Sequence, residues 1–306
     1  MSLWVYLPLV LSGLFGVLAP LLARRLPPAC ATWLLSCGGL LAAAGSSASL
    51  ALLAFVFAAR TPVLVERGHW SEDFLRAHEH LAAPAGGIAV VAVVVFAACF
   101  LRTGTRRLTA VRDAYRLARA LPHTSTELTV LDTAGKSAFA IPGRPGRIVA
   151  TTALLRSLDA GQRRALLAHE QAHLRHRHHL HQSLTALAVS VNPLLARLAA
   201  AQELSCERWA DEDAALLCHR GTVADALTLA AISTEHAPPM AVLSAAGSDV
   251  TTRVAALRSP APRLELWRII VLSGLLSAMS VAVAVAMHDV ERLFELAQRA
   301  YLMGQR

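Results

Sequence analysis

Lysine is almost missing from this 306-residue chain: Lys136 is the only one, so the net charge of +8 is carried by arginine. Many of the arginines stand beside apolar runs, where they act as topology signals, and no direct contact with nucleic acid is expected. Cysteine is sparse and unpaired. Cys30, Cys37, Cys99, Cys206 and Cys218 make an odd number with no Cys-x-x-Cys, which excludes a disulfide framework and a thiolate metal site. Charge of either sign is scarce too, at 16% of residues against 55% apolar, and the mean hydropathy is +0.47. An ordinary soluble enzyme is excluded by that balance. The longest apolar runs lack ionisable residues almost completely, which argues against a transporter or channel. No internal repeat is present.

What the chain does have is apolar runs of membrane-crossing length. Four spans are expected, at about 3–23, 30–59, 85–101 and 269–287. Arg24 and Arg25 follow the first run and nothing basic precedes it, so it reads as a retained anchor with its N-terminus outside and not as a cleaved signal. Gly38, Gly39, Gly45, Ser46 and Ser47 make the second run suited to close helix–helix approach. A mixed-charge segment at 60–84, with Glu66, Glu72, Asp73 and Glu79, reads as external. Arg102, Arg106, Arg107 and Arg112 directly after the third run place the following part in the cytoplasm. The chain thus divides into 1–101 with three spans, a folded domain at 102–265, and 266–306 with the last span and a short external tail.

Within 102–265 the patterning predicts an Arg-bearing helix over 109–121 and short strands at 128–132, 137–141 and 147–151. A long helix begins at Asp159, with Gln162 as its capping-box partner. Residues 183–200 are apolar but broken by Asn192-Pro193 and Arg197, and a buried or membrane-dipping hairpin is expected there, with a true transmembrane span as the alternative. Pro238-Pro239 and 259–263 read as linkers.

The long helix carries His169-Glu170-Gln171-Ala172-His173. Residues four apart share a helix face, so His169 and His173 can turn two imidazoles to one ion. Glu170 stands where it can take a proton from water. This is the arrangement of a zinc peptidase, which needs three protein ligands. No His-x-x-Gly-x-x-His extension follows, so a downstream carboxylate is the natural third. Glu203, Glu207 and Asp211 are spaced by four on an otherwise apolar helix. An acidic stripe is ordinarily a solvated face; on this apolar background Glu207 is the expected ligand. Asp211 would accept the other N–H of a ligating histidine. Glu203 as the third ligand is the alternative frame. His176, His178, His179 and His181 share a stretch with Arg175 and Arg177 and are expected to form a basic surface facing lipid headgroups. For the oxyanion, Arg208, His219 and His236 are candidates only.

His-Glu-x-x-His followed by Glu-x-x-Ala-Asp resembles the integral-membrane gluzincin peptidases. These include the CAAX prenyl endopeptidases, the HtpX-type quality-control proteases and the beta-lactam sensor-transducer (antirepressor) peptidases. Ser137 to Gly143 is similar to the edge strand that precedes their active helix, and Arg147 to Leu155 to the strand and helix start after it. The membrane frame and Asn192-Pro193-Leu194 resemble the sensor-transducer branch most closely. Its Cys-Asp is here Cys206-Glu207 with Ala210-Asp211 one turn on, and no segment resembling the external penicillin-binding domain follows the last span.

The resemblance implies a mainly α, polytopic membrane protein: transmembrane helices plus a cytoplasmic zincin (gluzincin) α+β metalloprotease domain with a small sheet. It implies one Zn2+ held by His169, His173 and Glu207, and Glu170 as the catalytic base. It further implies that Ala138, Phe139 and Ala140 bind an extended protein or peptide substrate, for which a transcriptional repressor is the candidate. General membrane quality control is the alternative activity, and a non-catalytic signalling protein the alternative class. The lipid bilayer of the plasma membrane is the other expected partner.

Overall fold

A computed structural model describes residues 3–78, 83–121, 127–233 and 250–304. Glu79, His236 and Pro238-Pro239 lie outside the described residues. Among the described residues the chain is mostly helical, with one small sheet and three helices long and apolar enough to cross a membrane.

The first half consists of α1 (Leu7–Ala23), α2 (Pro28–Ala58), α3 (Pro62–Gly68), α4 (Glu72–His78) and α5 (Ala83–Ala120). Of the four expected spans, those in α2, α5 and the last helix have the required length. The first forms only the 17-residue α1, about 25 Å at 1.5 Å per residue and so shorter than a hydrocarbon core of about 30 Å. Two expected boundaries are absent. The third span and the Arg-bearing helix are one continuous α5, because Thr103-Gly104-Thr105 is too short to break a helix flanked by Leu, Ala and Arg. The expected external loop instead holds α3 and α4. They pack on the far end of the last helix through Trp70, Leu75 and Ala297, and the Ser71 N–H donates to the Ala297 carbonyl at 3.0 Å. The expected tail is helical as well, and this contact packs it.

The second half runs β1 (Leu128–Leu131), β2 (Ala138–Ile141), β3 (Arg147–Thr151), α6 (Thr152–Ser157), α7 (Ala160–Arg175), α8 (His178–Val191), a 3-10 turn at Pro193–Leu195, α9 (Arg197–Leu217), α10 (Arg220–Ser233), α11 (Val250–Arg258) and α12 (Leu266–Gly304). The three strands fall where the sequence places them. Their order is β1-β3-β2, with β1 parallel and β2 antiparallel to β3. β2 is therefore an edge. Ser137 accepts from the Thr151 N–H at 2.9 Å, so by the alternation of an antiparallel ladder Ala138 and Ala140 turn their backbone groups away from β3.

The hairpin of α8, the turn and α9 is wedged among α1, α2 and α12. Ala188, Leu195 and Leu198 share one buried cluster with Phe15, Leu35, Leu276 and Met279. Glycines permit the approach: a Cβ on Gly16 would overlap the Leu194 carbonyl oxygen, and one on Gly39 would stand 3.2 Å from Leu198 Cδ1. Asn192, 4% exposed, holds the tip. Its Nδ2 donates to Ser12 Oγ at 3.0 Å and to Ser46 Oγ at 2.8 Å, while its Oδ1 accepts the Leu194 N–H at 3.0 Å. Ser205 Oγ donates to the Pro28 carbonyl at 3.1 Å, tying α9 to the start of α2.

Candidate metal centre

α7 begins at the capping box read from the sequence. Asp159 Oδ1 accepts the Gln162 N–H at 2.8 Å and Gln162 Oε1 accepts the Asp159 N–H at 3.0 Å. Such caps stabilise a helix start by roughly 1 kcal/mol. The face of α7 that meets α9 and α10 is small: Ala165 and Ala168 pack with Ala214, Val223 and Ala224. Alanine at these positions lets the two backbones come close enough for a glutamate on α9 to reach imidazoles on α7.

His169 Nε2 and His173 Nε2 are 3.1 Å apart. Glu207 Oε2 lies 3.5 Å from the first, and Glu207 Oε1 lies 3.5 Å from the second. Among the described residues these three form the group that could hold a metal ion. A zinc ion with bonds of about 2.0–2.1 Å at tetrahedral angles requires ligand atoms about 3.3 Å apart. The two imidazole nitrogens stand close to that spacing and each has a different oxygen of Glu207 at 3.5 Å, the carboxylate thus facing both rings, and two nitrogens with one carboxylate are a donor set zinc accepts. Glu203, one turn earlier on α9, lies outside the group.

Around the triangle, His169 Nδ1 is 3.0 Å from Asp211 Oδ1, and His173 Nδ1 is 2.9 Å from His178 Nδ1. Arg253, from α11, was not singled out by the sequence. It is 6% exposed and donates from Nε and Nη2 to Asp211 at 2.8 and 2.7 Å, with Nη1 2.9 Å from Glu207 Oε2. Nothing in the local pattern Val250-Thr-Thr-Arg253 marks it; only the packing of α11 against α9 brings it in.

These contacts set the ionisation. Burial alone would lower the His169 pKa, but hydrogen bonds to Asp211 and Glu207 carry it up to about 10. Burial lowers His173 to about 4, against the pull of Glu207. Burial works to raise Glu207 and Asp211. The charges of His173 and Arg253 and the His169 hydrogen bond outweigh it at Glu207, and Arg253 with His169 outweighs it at Asp211, so both stay below the usual carboxylate range. Glu170, also buried, is raised by burial and accepts a hydrogen bond from the Ala140 backbone of β2.

The reading of the remaining histidines as a lipid-facing surface is overturned for His176, His178 and His181. Arg177 takes the left-handed conformation (φ 50°) and separates α7 from α8. The chain turns inward there, and His178 and His181 are buried. His176 stacks on Trp209 at 4.1 Å and pairs with Asp213 Oδ2 at 2.7 Å. His181 Nδ1 meets Ser36 Oγ of α2 at 2.9 Å. Burial lowers His178 to about 2, helped by the neighbouring His173. Of the oxyanion candidates, Arg208 donates to the Arg24 carbonyl at 2.7 Å and His219 Nδ1 accepts the Gly221 N–H at 3.2 Å, so both are engaged elsewhere.

Residues 104–235 match the model of peptidase family M48. The matched stretch contains the sheet, α7, α8 and α9. M48 peptidases are zinc-dependent, which agrees with the His/Glu group, and the match with the apolar helices supports a membrane-associated metalloprotease. No curated protein and no solved structure matches the chain.

Proposed function

We propose that this protein is a membrane-embedded zinc-dependent endopeptidase that hydrolyses peptide bonds at the cytoplasmic face of the plasma membrane. The observation that carries the reading is the cluster of His169, His173 and Glu207, with the two Nε2 atoms 3.1 Å apart and each 3.5 Å from a different oxygen of the Glu207 carboxylate. In this reading those three residues hold the ion, and Asp211 orients His169. Bound there, zinc supplies Lewis acidity toward water and the scissile carbonyl. Glu170 takes a proton from water and returns it to the leaving amine. A carboxylate raised by burial is closer in pKa to that task than an exposed one. The outward N–H and C=O of Ala138 and the C=O of Ala140 pair with an extended substrate as an added strand, with Phe139 between them. Because Ala140 also donates to Glu170, that strand would run beside the proton-transfer group.

Arg102, Arg106, Arg107 and Arg112 follow the apolar part of α5 and support a cytoplasmic site. The sensor-transducer resemblance favours regulated cleavage of a repressor over general quality control. The test is cleavage of casein and self-cleavage in zinc-loaded proteoliposomes, wild type against Glu170→Gln. Cleavage by wild type alone is expected; equal cleavage by both overturns the reading.

A further inference from the structure

His173 is the ligand whose ring has no carboxylate behind it. Asp211 serves His169, and what meets His173 Nδ1 is another imidazole, His178, at 2.9 Å between the two Nδ1 atoms. On an unbroken helix a residue five positions on would lie about 140° round from His173, at 100° per residue. The left-handed turn at Arg177 removes that separation. It ends α7, starts α8 and folds His178 back onto the ring. A non-glycine residue in this conformation is disfavoured, so the packing around it must hold it there. Part of that packing is visible: His178 is 1% exposed, its ring 5.2 Å from Trp209 and stacked 5.8 Å from His176.

We propose that His178 is the positioning residue for His173, accepting its Nδ1–H and so directing the Nε2 lone pair into the metal triangle. The proposal rests on the reading of His169, His173 and Glu207 as ligands. The direction of the bond follows from that reading. If Nε2 of His173 is to bind an ion, its single ring proton is on Nδ1, and the facing Nδ1 of His178 must be the acceptor. His178 then carries its own proton on Nε2, which is buried and without a hydrogen-bond partner among the described residues. A buried orphan of this kind destabilises the fold, and the acceptor role gives it a reason. His178 is not a fourth ligand, because it faces Nδ1 of His173, on the opposite side of that ring from the triangle.

An asymmetric site results. One ligand histidine is held by a carboxylate that is itself clamped by Arg253, the other by a neutral ring. Loss of such a partner for a ligating histidine weakens metal binding by about 10–100-fold.

The matched variants are His178→Asn and His178→Leu. Asparagine keeps an acceptor, Oδ1, one bond beyond Cγ as Nδ1 is; leucine has nearly the same shape with none. Zinc affinity is measured by chelator competition on the purified full-length protein in micelles, and the melting temperature of each protein is taken in EDTA. Expected is a 10–100-fold loss of affinity in His178→Leu, most of it restored in His178→Asn, with similar metal-free melting temperatures for the two. Equal affinity in both variants, weakened or not, overturns the positioning role. If the wild type itself binds no stoichiometric zinc, or His173→Leu binds as tightly as wild type, the ligand reading fails instead, and the two failures are distinguishable.

Discussion

Replacing Arg253 by methionine should separate the metal-free and metal-loaded forms of the site. In the metal-free protein four charged groups meet: Arg253, Asp211, Glu207 and His169, protonated at neutral pH because its pKa is held up to about 10. Their charges cancel. Methionine keeps most of the buried stem but leaves the group at −1, with two carboxylates facing one imidazolium. Removing one partner of a buried ion pair costs about 3–5 kcal/mol, and with two carboxylates deprived the upper half of that range is expected. Loading a divalent cation displaces the His169 proton. The wild-type group then stands at +1 and the variant at zero, so the missing guanidinium is partly replaced. The loaded variant should therefore lose less than half of what the metal-free variant loses. By linkage the difference is tighter zinc binding, tenfold for every 1.4 kcal/mol. Thermal unfolding in micelles, in EDTA and in excess zinc, reads both losses, with Glu170→Gln in both proteins to prevent self-cleavage. A zinc-induced rise in melting temperature larger in Arg253→Met than in the parent is the expected result. An equal loss in both forms, or weaker zinc binding, would refute the reasoning and make Arg253 chiefly a brace for Asp211.

Other perturbations follow from the packing. Gly16→Ala places a Cβ against the Leu194 carbonyl oxygen, whereas Gly13→Ala meets Leu194 Cδ1 only at 3.5 Å. The first should lose about 1–3 kcal/mol by overpacking and the second almost nothing, and equal melting temperatures would show that the hairpin tip is not seated there. Asn192→Ala removes a cap of about 1 kcal/mol and two interhelical hydrogen bonds of about 0.6 kcal/mol each. Ser12 and Ser46 keep their own acceptors, Leu9 and Ala42 carbonyls, so chemical unfolding should show a loss near 2 kcal/mol and no more. Ala138→Pro deletes an N–H that faces away from β3, a place where an edge strand tolerates proline. It should lower kcat/KM for an extended peptide about 2–10-fold, the worth of one hydrogen bond, with zinc affinity unchanged; a change in zinc affinity instead would locate the damage in the fold.

The parts of the site legible in the sequence are those that one element writes by itself. His169 and His173 are set by helical period, the start of α7 by Asp159 and Gln162, and the three strands by alternation between turns. Glu207 and Asp211 were legible at one remove, as a four-residue spacing on an otherwise apolar helix. What the sequence hid depends on how elements meet. Arg253 stands on a short helix with no distinguishing pattern, yet it neutralises both carboxylates of α9. His178 stands in plain view within a run of histidines, but the pattern of charge along 175–181 says surface while one left-handed residue, Arg177, turns the chain inward. The spans show the same division. Composition locates α2, α5 and α12, but not that α5 and α12 run on beyond their apolar parts, since helix propensity continues where hydropathy stops. Nor does composition show that the hairpin at 183–200 sits among the spans: that required glycines in α1 and α2 to line up with Leu194 and Leu198 on a segment well over a hundred residues away. The metal triangle is thus bound to the membrane frame by packing that no local motif encodes, and a substitution as remote as Gly16 can be expected to reach it through α9.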